Sequence, residues 1–310
     1  MAKRVIVTGG TGFIGRALCR RLVEKDYEVV VLSRNASHVK EILGETVRGV
    51  RWDGRSADGW SEYAEGAYGI VNLAGANIAA GRWTAGLKTR ILESRLDAGR
   101  AVTGAVARAS KKPRVLVQAS ATGYYGNRGE EVLTESSTGG TGFLADVAHH
   151  WERSTENVVA HGVRRVVVRT AVVVGRDGGL LGRILPPFQA FLGGPMGSGR
   201  QWFPWIHLAD EVEAICFLLE HEDLHGPFNL AAPQQLRSRG FYGALGHAIG
   251  RPSWLRMPGS VLRLVLGEMA DELILVSQKV IPERLLKNGF SFRFTEIGDA
   301  FGEIFGGVSR

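Results

Sequence analysis

Three glycines, Gly9, Gly12 and Gly15, are evenly spaced directly behind the apolar run Val5-Ile6-Val7-Thr8. Glycine at such positions permits a backbone turn that a side chain would forbid, and it lets a ligand reach the main chain. Behind the triplet, Ala17, Leu18, Cys19, Leu22 and Val23 recur at helical spacing. Strand, glycine turn and helix in this order aim free helix N–H groups and a partial positive charge at an anion. Gly9 suits the tight turn, Gly12 the close approach of a pyrophosphate, and Gly15 the close packing of helix on strand. The stretch Gly9, Thr11, Gly12, Phe13, Ile14 and Gly15 is therefore expected to bind a dinucleotide. A bare strand-to-helix turn is the alternative.

The next apolar run, Glu28-Val29-Val30-Val31-Leu32, ends in Ser33-Arg34. An NAD-binding fold usually carries an acid at this strand end, bonded to the ribose 2′-OH. Here the position offers a hydroxyl and a guanidinium. A 2′-phosphate is repelled by an acid and matched by an arginine fork. Ser33 and Arg34 therefore point to NADP(H), against the alternative of a surface arginine opening a loop. Further on, Tyr68-Gly69-Ile70-Val71-Asn72 closes on Leu73-Ala74-Gly75, small residues that let backbone lie against the cofactor's phosphates or ribose.

These residues need a frame. The chain has 310 residues, 45% hydrophobic and 22% charged, enough for a large core. Strand-like runs alternate with helical patterns through about residue 175, which predicts a doubly wound parallel α/β sheet of the Rossmann type. A smaller mixed α/β domain is expected over 176–310, with the strand near 226–231 returning to the first sheet and the cleft between the two domains. The net charge is +7, but the basic residues are scattered, which argues against nucleic-acid binding. The two cysteines, Cys19 and Cys216, sit in apolar helical patterns and read as buried thiols of a reducing, cytoplasmic compartment. No Cys/His metal spacing, signal peptide or membrane-length apolar run is found.

The text Thr-Gly-Gly-Thr-Gly-Phe-Ile-Gly resembles the extended short-chain dehydrogenase/reductases, and Asn72-Leu73-Ala74-Gly75 resembles their Asn-x-Ala-Gly element. The resemblance implies an acid near the adenine after the third strand. Asp53 matches it, with a turn-initiating aspartate before Gly54 as the equal alternative. On the helical pattern 87–109, where the superfamily usually has an asparagine, this chain has Ser94 and Arg95. Arg95 is a candidate contact to cofactor phosphate or ribose, against a solvated helix face. Ser120-Ala121-Thr122-Gly123-Tyr124-Tyr125-Gly126 resembles the turn whose hydroxyls hold the substrate oxygen, which makes Ser120, Thr122 and Tyr124 the catalytic candidates.

One departure is large. The superfamily pairs a tyrosine with a lysine four residues later for proton transfer. No tyrosine here has that lysine, and the expected helix, 142–161, holds neither residue. His149, His150 and Glu152 are the other titratable groups there, with packing or solvent the simpler account of the histidines. The missing pair, the Gly-Tyr-Tyr-Gly turn, Gly197-Ser198-Gly199-Arg200-Gln201 with Trp205-Ile206-His207, and a C-terminal module over about 255–305 resemble one atypical epimerase-like NAD(P)-binding family. Its members are called nucleoside-diphosphate-sugar epimerases by fold analogy. Trp202, Trp205 and His207 are the candidate substrate pocket, against an aromatic core cluster. Phe290, Phe292 and Phe294 alternate as in a short strand.

The reading is thus an NADP(H)-dependent oxidoreductase or epimerase on an unknown small or sugar-like substrate. The alternative is a non-catalytic NADP(H)-binding redox sensor or scaffold. The resemblance allows a homodimer through the helical stretches 87–109 and 142–161, which the residues themselves do not demand.

Overall fold

The computed structural model describes residues 3–176 and 178–306. The chain begins with β1 (Lys3–Thr8), α1 (Phe13–Glu24), β2 (Tyr27–Ser33), α2 (Ala36–Leu43), β3 (Arg48–Arg51), β4 (Gly69–Asn72), α3 (Ala85–Arg108) and β5 (Val115–Ala121). It continues through β6 (Val132–Leu133), α4 (Phe143–Arg153), β7 (Arg164–Thr170), β8 (Val172–Val174), α5 (Leu181–Gln189), β9 (Trp205–His207), α6 (Leu208–Glu220) and β10 (Gly226–Leu230). The last part holds α7 (Ser238–Ala248), α8 (Gly259–Leu266), β11 (Lys279–Val280), α9 (Glu283–Lys287) and α10 (Ile297–Gly306).

Seven strands form one parallel sheet in the order β3-β2-β1-β4-β5-β7-β10. Valine and isoleucine runs buried on both faces suit central strands of this kind, and Val5, Ile6 and Val7 are all fully buried. One core lies between the sheet and α1 and α6, with Leu18, Leu22, Ile215 and Leu219. A second lies under α3, through Ala98, Val102 and Ala105. From β1 the chain winds outward to β3, then returns to β4 on the other side of β1. That reversal opens a crevice at the carboxyl ends of β1 and β4, where open α/β sheets bind ligands. The residues after β5 build a third core from Trp205, Phe241, Phe301 and Ile304.

Two elements differ from expectation. The stretch 142–161 is not one helix: α4 ends at Arg153 and a 3-10 turn covers Glu156–His161. Ser154 Oγ donates to the Trp151 carbonyl and Thr155 Oγ1 to the Glu152 carbonyl, so side chains compete for the acceptors that would continue the helix. Phe290, Phe292 and Phe294 join no strand. The Arg293 and Phe294 N–H groups donate instead to the Asp210 carboxylate at 2.8 and 2.9 Å. The alternation of phenylalanines reflects packing on both sides: Phe290 against Phe217, Phe294 against His207.

Candidate functional site

The glycine turn is as tight as its spacing requires. Gly9 has φ +69°, and a Cβ there would stand 2.9 Å from the Leu73 carbonyl oxygen. A Cβ on Gly15 would stand 2.2 Å from the Gly9 carbonyl oxygen, so α1 could not sit where it does. A Cβ on Gly12 would meet only that same oxygen, at 3.2 Å. The first turn of α1 has no acidic residue and no side-chain cap. Its orphan N–H groups are left for an anion.

Across the crevice, side chains lock the strand ends together. Thr8 Oγ1 donates to Asn72 Oδ1 at 2.6 Å and accepts from the Ala74 N–H at 3.1 Å. Asn72 Nδ2 donates to Gln118 Oε1 at 2.9 Å. The loop after β4 is held from α3: Ser94 Oγ accepts from the Ala76 N–H at 2.9 Å, and Arg95 Nη1 donates to the Ala76 carbonyl at 3.1 Å. Arg95 is not on a solvated face. It is 9% exposed, lies over the Trp151 ring at 4.7 Å, and has no carboxylate partner among the described residues. Burial pushes its pKa down to about 10. Gly75 leaves room for it, since a Cβ there would be 3.0 Å from the guanidinium carbon.

At the end of β2, Arg34 is exposed, and Ser33 Oγ accepts from the Asn35 N–H at 3.2 Å. Arg51, which the sequence reading did not single out, pairs with Ser33 across β2 and β3 and adds a second guanidinium at this edge. Asp53 Oδ1 accepts from the Arg55 and Ser56 N–H groups at 2.8 and 2.9 Å, which is turn geometry. Those backbone N–H groups also lower its pKa.

The end of β5 carries a buried charged network. Ser120 Oγ donates to Glu152 Oε1 at 2.7 Å. Arg169 from β7 clamps the same carboxylate through Nε at 2.9 Å and Nη2 at 3.0 Å. Arg169 Nη1 donates to the Tyr125 hydroxyl at 3.1 Å, which donates to Asn229 Oδ1 at 2.7 Å. Burial works against the Arg169 charge, but Glu152 more than restores it and the pKa rises. Burial raises the Tyr125 pKa to about 12, so this tyrosine stays neutral. The Tyr124 ring lies on the Arg169 guanidinium at 3.5 Å and edge-on to His149 at 4.5 Å. Thr122, 6% exposed, opens the 3-10 turn Thr122–Tyr125. Sequence reading missed Arg169. The available signal was a lone charge ending the buried run Val166-Val167-Val168, which demands a carboxylate partner.

The aromatic stretch is packed largely inside the fold. Trp205 is fully buried in β9, and His207 is 4% exposed. His207 Nδ1 accepts from the Ala209 N–H at 3.1 Å as the N-cap of α6, and its Nε2 faces Glu303 at 3.3 Å. Burial lowers its pKa, with Glu303 opposing. Trp205 packs in the third core, and the His207 ring lies against Phe294 of that core at 4.0 Å. Trp202 is partly buried, donates to Glu130 at 2.8 Å and is covered by Arg237 at 4.2 Å. Among the described residues, no three His, Cys, Asp or Glu side chains converge as a metal site, and no helix is long and apolar enough to cross a membrane.

A parallel sheet of this order with a glycine turn on its first strand defines a dinucleotide-binding α/β protein. The chain belongs to the NAD dependent epimerase/dehydratase family, whose profile matches residues 5–231, and a domain of unknown function, DUF1731, matches residues 257–304. It is 35% identical to the human epimerase family protein SDR39U1, over 97% of this chain and 99% of that protein. It is 36% identical to the epimerase family protein YfhF of Bacillus subtilis, over 97% of each chain. The crystal structure of human SDR39U1 isoform 2 with NADPH superposes with TM-score 0.88 at 35% identity, covering 98% of this chain and 100% of that one. A nucleoside-diphosphate sugar epimerase from Corynebacterium glutamicum superposes with TM-score 0.76 at 28% identity, covering 99% of this chain and 59% of that one.

Proposed function

We propose that this protein is an NADP(H)-dependent oxidoreductase or epimerase acting on a small or sugar-like substrate. The observation that carries the reading is the Ser120–Glu152–Arg169 network, set at the strand ends beside the dinucleotide crevice. The cradle fits the cofactor. The turn at Gly9 excludes a side chain, and the first turn of α1 is uncapped. Arg34 is exposed and pairs with no carboxylate among the described residues, which leaves its guanidinium for a 2′-phosphate. Gly9, Thr11, Gly12, Phe13, Ile14 and Gly15 would hold the diphosphate. Ser33 and Arg34, with Arg51 beside them, would read the 2′-phosphate. Leu73, Ala74 and Gly75, next to the Ala76 that Ser94 and Arg95 hold, would bear on the ribose side. Asp53 would shape the adenine end through its turn. When bound, the nicotinamide supplies hydride transfer.

The chain's own part is to hold the reacting oxygen and its proton. Ser120 donates its hydrogen to Glu152, so toward a ligand its oxygen is an acceptor. It would receive a substrate hydroxyl, and Tyr124 and Thr122 would supply the donors. Glu152, clamped by Arg169, is the acceptor that orients Ser120. Turnover is the test: oxidation or reduction of NADP(H) with a metabolite panel, lost in Ser120→Ala. Absence of any nicotinamide exchange with every metabolite offered would defeat it. A non-catalytic NADP(H)-binding role is the second reading. It is favoured by one observation, that the Glu152 carboxylate is already clamped by two arginine nitrogens.

A further inference from the structure

A cavity of about 230 Å³ lies where the DUF1731 segment meets the turn that carries Tyr124. Its walls come from three parts of the chain: Gly123 and Gly126, which bracket Tyr124-Tyr125; Thr141 and Leu144 at the start of α4; and Arg263, Glu272 and Gln278 from the C-terminal segment. At interior packing density such a space takes about a dozen non-hydrogen atoms, the size of a hexose and far short of a nucleoside diphosphate sugar.

The charges there are largely committed. Arg263 Nε bonds both oxygens of Asp271, at 2.9 and 3.1 Å. Glu272 makes no ion pair among the described residues, and its Oε2 accepts from the Leu144 N–H at 3.1 Å in the first turn of α4. A helix N-terminus is the natural seat for a phosphate. Here the protein's own carboxylate fills it, and the lining keeps one uncompensated negative charge. The other polar side chains of the lining, Asn127, Thr141 and Gln278, are neutral. Gln278 Nε2 is spent on the Gly126 carbonyl at 3.0 Å, which leaves its Oε1, with the Thr141 hydroxyl, to bond a ligand.

We infer that this cavity is a subsite for an uncharged, hydroxyl-rich group about the size of one hexose, and that it selects against phosphorylated or carboxylated substrates. The inference rests on the oxidoreductase reading and adds the substrate class to it. The cavity is walled by Gly123 and Gly126, which bracket the turn that carries Tyr124.

The test uses the full chain loaded with NADPH and saturation-transfer NMR with four neutral probes: glucose, galactose, mannose and sorbitol. Glucose 6-phosphate serves as the anionic probe. The expected result is saturable binding of at least one neutral probe and about tenfold weaker binding of glucose 6-phosphate. Leu144→Trp, which fills the cavity, should abolish sugar binding and leave NADPH affinity unchanged. Glu272→Gln keeps an acceptor for the Leu144 N–H and removes the charge, so it should narrow the gap between glucose and glucose 6-phosphate. The proposal is overturned if none of the four neutral probes binds, if the phosphate binds better, or if Leu144→Trp leaves sugar binding intact while folded. Should the tryptophan variant fail to fold, Thr141→Val takes its place: loss of the wall hydroxyl should weaken sugar binding, and unchanged binding overturns the proposal. Failure of NADPH itself to bind would instead sink the underlying oxidoreductase reading.

Discussion

Arg34 and Glu152 carry the account at the scale of single residues. Arg34 is exposed at the end of β2 and has no ion pair among the described residues, so its replacement disturbs little of the fold. Losing a charge-assisted bond to a phosphate is worth roughly 1.5–3 kcal/mol, about ten- to a hundredfold in affinity. Arg34→Ala should weaken NADPH by that factor and leave NADH untouched, as read by titration of reduced-nicotinamide fluorescence. Glu152 is different, because Arg169 beside it is 4% exposed. Removing the carboxylate strands a buried guanidinium. Glu152→Ala should cost about 3–5 kcal/mol in chemical denaturation. Ser120→Ala should cost less, about 1.5–3 kcal/mol, because only one hydrogen bond to a charged acceptor is lost, and it should remove turnover. Equal destabilisation by the two changes would show that the network is a packing feature alone. Of these residues, Arg34 was legible in the sequence because strand ends have known roles. Arg169 was not, since its partner lies on another element, 17 positions away along the chain.

Among the elements, the glycine turn with α1 separates folding from binding. A Cβ at Gly15 would collide with the Gly9 carbonyl at 2.2 Å, whereas one at Gly12 would sit 3.2 Å from the same atom and otherwise meet nothing within 4 Å. Gly15→Ala should therefore lower both thermal stability and cofactor affinity. Gly12→Ala should keep a melting temperature near the parent's and still lose at least about tenfold in NADPH affinity, because its Cβ would take up space proposed for the diphosphate. Identical NADPH affinity in Gly12→Ala would remove the diphosphate from that turn. This part of the fold was readable from local text: a β-branched run, three glycines and a helical period all specify one motif. The aromatic stretch was not. Trp202, Trp205 and His207 looked like one pocket wall, yet β9 pairs with β8 and is buried on both faces, Trp205, Ile206 and His207 alike. The direction of a three-residue strand is set by its partner, and no nearby residue announces it. The Phe290–Phe294 alternation misled for a similar reason, because the backbone donors there are claimed by Asp210, about 80 positions earlier.

For the molecule as a whole, one buried acid tunes stability with pH. Glu211 is 1% exposed, accepts from Thr170 Oγ1 at 2.8 Å, and has its second oxygen buried without a partner. Burial raises its pKa from 4.5 to about 8, against the smaller opposing effect of Thr170. The folded state thus holds a proton that the unfolded chain releases. Its contribution favours folding least at high pH: stability falls as pH rises from the unfolded value near 4.5 to the folded value near 8, then levels. Glu211→Gln should flatten that slope and raise stability at pH 7 by an amount on the order of 3 kcal/mol, measured by denaturation at several pH values. A parallel pH slope in the variant would mean that Glu211 is ionised in the folded protein. The seven-stranded frame around it followed from the alternation of apolar strands and helical periods. The β6–β11 pairing did not, because it joins residues 132–133 to 279–280 through two-residue strands too short to carry a pattern.

The central claim is that this crevice is built for NADP(H), and side-by-side titration of the purified protein with NADPH and NADH tests it most directly. Micromolar or tighter binding of NADPH, with NADH weaker by at least about tenfold, is the predicted result. Equal affinities would contradict the role of Ser33 and Arg34. Failure of both nucleotides to bind would leave the glycine turn a structural device and withdraw the oxidoreductase and the non-catalytic cofactor-binding readings together.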